Sequence, residues 1–104
     1  MYPLPAWKDG GSGTSVQVQG QFLTVTSTAV VQFAAFNPNS KLVTLDIQTA
    51  NVYCTFDGTT PSSTSGHILY AGANFTWHFG MASLAKFVAT TTTNATIYGS
   101  ELQN

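Results

Sequence analysis

The sequence predicts an all-β fold: a two-sheet antiparallel β-sandwich, jelly-roll-like, with about eight strands and an extended N-terminal arm. Three observations lead there. Apolar and polar residues alternate with a period of two through most of the chain after residue 15, as strands with one buried face require. Turn residues recur about every 8–12 positions, the spacing of short sandwich strands. Helical periodicity is weak throughout. A chain of 104 residues holds one core, so residues 16–104 form a single β domain behind an arm and linker at 1–15.

Taken in order, the arm comes first. Tyr2, Leu4 and Trp7 alternate with Pro3 and Pro5, which fix an extended backbone. Residues 8–15 contain Asp-Gly-Gly-Ser-Gly, a linker composition. Val16 and Val18 then alternate with Gln17 and Gln19 up to an interruption at Gly20, and residues 22–28 continue as a β-branched strand. Residues 30–36 form another short apolar run before the turn cluster Asn37-Pro38-Asn39-Ser40. In residues 42–48, Val43, Leu45 and Ile47 share one face, with Thr44, Asp46 and Gln48 on the other. Val52, Cys54 and Phe56 share the next inward face, with Tyr53, Thr55 and Asp57 opposite. A loop from Asp57 to Gly66 leads to a short strand at 67–70 and a turn at 71–74. Phe75, Trp77 and Phe79 alternate with Thr76 and His78. Residues 81–87 allow one helical turn, and strands at 86–90 and 96–100 close the chain. The predicted core is Val43, Leu45, Ile47, Val52, Cys54, Phe56, Phe75, Trp77, Phe79, Phe87 and Ile97.

Composition narrows the function. Charged residues are 7% of the chain, against roughly 25% in an average domain. Thr, Ser, Asn and Gln fill the gap with 16, 9, 6 and 6 residues. Three lysines and no arginine give no electrostatic footprint for nucleic acid or an anionic membrane. No apolar run approaches a membrane span of about 18 residues. The first residues lack the basic and apolar regions of a signal peptide.

No catalytic centre is expected. His67 and His78 lie eleven positions apart on different predicted strands, without the spacing of a metal site. Cys54 sits on an inward face, where a thiol is a small inert core residue. Asp57-Gly58 is turn chemistry. Tyr53, Tyr70, Trp77 and Tyr98 would make a sugar-stacking platform if they shared one sheet face, but core packing suits Trp77 better. No cofactor or metal is predicted, and no enzyme activity. An uncharged surface instead suits burial against neighbours, because no charge must be desolvated. This predicts a homo-oligomer or a larger assembly.

The half of the chain from Leu42 to Tyr98 carries a pattern: a strand, then Asp57-Gly58-x-x-Pro61, then Gly66-His67-x-Leu69-x-x-Gly72, an aromatic strand and a final alternating pair. This resembles small β-sandwich virion proteins of tailed bacteriophages, either capsid decoration (cement) proteins or proteins of head fibres and tails. The resemblance implies no catalytic residues. It implies a non-enzymatic structural protein of the virion, assembled in the host cytoplasm, that binds the major capsid protein or another virion protein and reinforces the capsid lattice. A trimer is the family's expectation for the oligomer. The alternative is a tail- or fibre-associated binding module facing a carbohydrate or receptor. In either case Tyr2, Leu4 and Trp7 are the predicted partner-binding residues.

Overall fold

The structure is a computed structural model, and it describes residues 17–103. Seven strands and one short helix follow in the order β1 (Gln17–Val25), β2 (Leu42–Gln48), β3 (Val52–Thr55), β4 (His67–Leu69), β5 (Asn74–His78), α1 (Phe79–Leu84), β6 (Lys86–Ala89) and β7 (Ala95–Leu102). They form a four-stranded sheet, β1-β7-β2-β5, and a three-stranded sheet, β4-β3-β6, antiparallel throughout. Only β3 and β4 are both consecutive and paired. The chain crosses between sheets after β2, β4, β5 and β6.

The period-two pattern becomes burial. Val43, Leu45 and Ile47 of β2, Val52 and Cys54 of β3, Trp77 of β5, Phe87 of β6 and Ile97 of β7 are all buried. The sheets meet through rings: Trp77 stacks on Phe87 at 6.4 Å and meets Phe56 edge-on at 5.0 Å. Phe56 and Phe75 of the predicted core are partly buried against this cluster.

Four expectations are corrected. Residues 30–36 do not make an eighth strand. Val31 alone bridges Phe87, through bonds of 3.0 and 2.9 Å. Phe33 then turns into the core, where its ring lies on Gly99, and a β-carbon there would come within 2.8 Å of it. Gly20 does not interrupt the first strand. It pairs with Ser100, and the ring of Tyr98 fills the space above it.

Phe79 is not a core residue of β5. The strand ends at His78, whose Nδ1 accepts a bond from the Gly80 N–H at 3.1 Å and caps α1. Phe79 thus opens the helix and is exposed, while Ala82 is the helix residue that is buried. Helix α1 also begins and ends earlier than the turn expected at 81–87, and Phe87 belongs to β6.

Candidate functional site

The pattern residues lie together around the β3–β4 connection, and their local roles are conformational. The Asp57 carboxylate accepts bonds from the Thr59 hydroxyl at 2.6 Å and the Thr59 N–H at 3.1 Å. These bonds, with Lys86 nearby, hold the Asp57 carboxyl below its usual range. Gly58 follows at φ 88°, completing an Asx turn. Pro61 is buried, and Leu69 belongs to the core. Gly66 has φ 111°, and a β-carbon there would stand 2.5 Å from the Cys54 carbonyl oxygen. Gly72 turns the chain at φ 91°. His67 is exposed, its ring 6.1 Å from that of Phe56.

Thr55, Phe56, Asp57, Ser65, Gly66 and His67 line a shallow cleft of about 240 Å³. It holds one carboxylate and one imidazole. Thr55, expected on the outer face, is buried, its hydroxyl donating to the Thr59 carbonyl at 2.6 Å. Cys54 behind the cleft is fully buried, and burial pushes its thiol up to about 12. At neutral pH it is a thiol, not a nucleophile. Among the described residues, no three His, Cys, Asp or Glu side chains gather at metal-binding distance.

The strongest polar cluster is one that the sequence analysis did not single out. Glu101 of β7 is completely buried and surrounded by neutral donors. Oε2 accepts from Gln19 at 2.7 Å and Gln21 at 2.9 Å. Oε1 accepts from the Asn37 N–H at 2.7 Å and the Ser40 hydroxyl at 2.9 Å. Burial pushes this carboxyl up, but the bonds from Gln21, Asn37, Ser40 and Gln19 together outweigh it and leave it below the usual range. Gln21 also pairs with the Ala34 backbone, accepting from N–H at 2.8 Å and donating to C=O at 3.1 Å. The cluster therefore fastens the long β1–β2 connection to both strands. The signal was present: Glu101 continues the inward face of Ile97, opposite Gln19.

The outward faces carry the exposed apolar groups. On the three-stranded sheet, Ile68, Tyr53 and Val88 are cross-strand neighbours in one row, and Tyr70 stands exposed just beyond β4. On the four-stranded sheet, Phe22 is 62% exposed beside its partner Tyr98. Tyr98 lies over Gly20, with Gln17 Nε2 donating to its hydroxyl at 3.3 Å. The rest of that face holds Thr44–Thr76, Asp46–Asn74 and Gln48–Thr96 pairs. A third group, Phe79, Met81 and Leu84, lies on α1.

Tyr53, Tyr70 and Tyr98 do not share a platform. Tyr53 and Tyr98 belong to different sheets, and Trp77 is in the core. The predicted partner-binding residues Tyr2, Leu4 and Trp7 lie outside the described residues. No family model, curated protein or solved structure matches the chain.

Proposed function

We propose that this chain is a non-enzymatic structural protein of a bacteriophage virion, one that binds the capsid lattice and reinforces it. One observation carries the reading: both outward faces are mainly apolar and uncharged polar, with Ile68–Tyr53–Val88 on one and Phe22–Tyr98 on the other, and a single ionic side chain on each, Lys86 and Asp46 respectively. Such faces can be covered by neighbours while few ions are stripped of water. The virion setting comes from the resemblance around Asp57–Gly72. Tyr2, Leu4 and Trp7 act as an anchor on the capsid protein or a neighbouring subunit, and residues 8–15 supply reach.

Co-sedimentation with expanded capsids tests this. Binding should survive about 1 M salt, where the Debye length is about 3 Å. Deleting residues 1–8 should weaken it at least about tenfold, the loss of roughly 1.4 kcal/mol. Unchanged binding after the deletion would move the contact from the arm to the sandwich faces.

A second reading, a carbohydrate-facing module of a tail or fibre, is favoured by one feature. Tyr98 lies over Gly20 beside exposed Phe22, among hydroxyl and amide side chains, the mixture of apolar ring and polar tip that suits partly wet surfaces. Glycan-array binding lost in Phe22→Ala, with no capsid binding, would select it.

A further inference from the structure

We propose that in the free protein residues 1–7 seat on an apolar corner of their own domain, the corner made by α1 at one end of the four-stranded sheet. This inference is independent of the virion reading and stands on the path of the chain.

The corner is apolar and open. Met81 and Leu84 are 41% and 56% exposed and lie three residues apart on α1, so they are neighbours on its surface. Phe79, 40% exposed, opens the same helix. The corner is also held rigidly against the sheet. The Phe79 N–H donates to the Lys41 carbonyl at 3.0 Å, and the Lys41 N–H donates to the Leu102 carbonyl at 2.7 Å. An exposed group of three large apolar side chains on a six-residue helix is a surface that gains from cover.

The register says what can cover it. Gln17 pairs with Leu102, Leu102 with Leu42, and Leu42 with His78. One row across the sheet thus runs from the point where residues 1–16 join it to the residue that caps α1. Three strand spacings make that row about 14 Å long. Residues 8–16 can extend to about 30 Å. The segment beyond them carries Tyr2, Leu4 and Trp7, stiffened by Pro3 and Pro5. Apolar side chains held on so short a tether face the corner at an effective concentration in the millimolar range. No second copy reaches that in dilute solution, so the chain's own segment is the occupant.

Contact quenching of a bimane label by tryptophan tests this. The label is placed at Leu84→Cys and, in a second protein, at Met81→Cys, with Cys54 silent because it is buried. Each is compared with the same protein carrying Trp7→Phe. Thr93→Cys, in the loop at the opposite end of the four-stranded sheet, is the control. Emission at 84 and at 81 should fall by about half or more when Trp7 is present, independently of protein concentration, as an intramolecular contact at millimolar effective concentration requires. Emission at 93 should not change. Equal emission with and without Trp7 at both corner positions would overturn the proposal. So would quenching that appears only as concentration rises, because the segment would then sit on a second copy.

Discussion

At the residue scale, Glu101 ties the stability of the fold to pH. Its carboxyl is held below the ordinary range in the folded state and titrates near about 4.3 when unfolded. The stability it contributes is therefore complete above that unfolded value. It declines as the pH falls below it and is gone once the pH has passed the lower folded value. Glu101→Gln keeps the size but turns an NH₂ toward groups that are themselves donors. It should cost about 2 kcal/mol at pH 7, the penalty for leaving a buried donor unpaired, read from urea unfolding. Its stability should also fall less steeply as the pH drops below about 4.3 than that of the wild type, whose own carboxyl takes up its proton in the folded state only below that point. A variant as stable as the wild type would mean that the four bonds to Glu101 contribute nothing net. Cys54 gives a second check at this scale. With its thiol pushed up to about 12, it should resist a thiol reagent in the native protein at pH 8 and react at once in denaturant. Rapid native labelling would place β3 in the wrong register.

At the element scale, the β3–β4 connection separates two glycine roles that the sequence writes alike. Gly58→Ala has open space around it and faces only the cost of φ 88°, about 1 kcal/mol. Gly66→Ala meets the same kind of cost at φ 111° and also the Cys54 carbonyl at 2.5 Å. It should lose at least twice as much stability by thermal or urea unfolding, and equal losses would remove the close approach as the reason for Gly66. The elements legible in the sequence were those where alternation and burial agree, as in β2, where Val43, Leu45 and Ile47 face the core. Three features escaped the pattern. His78 caps a helix where Phe79 continued the strand alternation. Phe33 leaves an apolar run to cover Gly99. Glu101 completes an inward face as an ion, which a search for apolar positions passes over. The candidate site was less legible than the fold. The residues of the resemblance are mostly turn formers, and the exposed apolar rows depend on which strands become neighbours, which spacing along one chain does not reveal.

At the scale of the whole molecule, the distribution of charge governs association. Glu101 is buried, which leaves Lys41, Lys86, Asp46 and Asp57 as the ionic groups at the surface of the described residues. Exposed ion pairs are worth about 0–1 kcal/mol each, so self-association, if it uses these faces, rests on apolar contact. Sedimentation analysis should show a homo-oligomer, with a trimer expected, that does not dissociate when salt is raised to about 1 M. Replacing Ile68 with Lys should break it if the three-stranded face is the contact, because a charge would then have to be buried unpaired. A monomer at every concentration would end the oligomer reading.

The pairing of β1 with β7 has a consequence for how the chain is made. β7 lies between β1 and β2, so β1 has no strand neighbour in its sheet until β7 emerges. Before then the four-stranded sheet consists of β2 and β5 alone, and the donors of Gln19 and Gln21 await a carboxylate that has not yet been translated. Contacts between residues distant in sequence close late and slowly. Ribosome-bound chains ending before Ala95 should therefore be degraded by added protease as readily as an unfolded polypeptide. Resistance should arrive in one step, once Leu102 has cleared the exit tunnel.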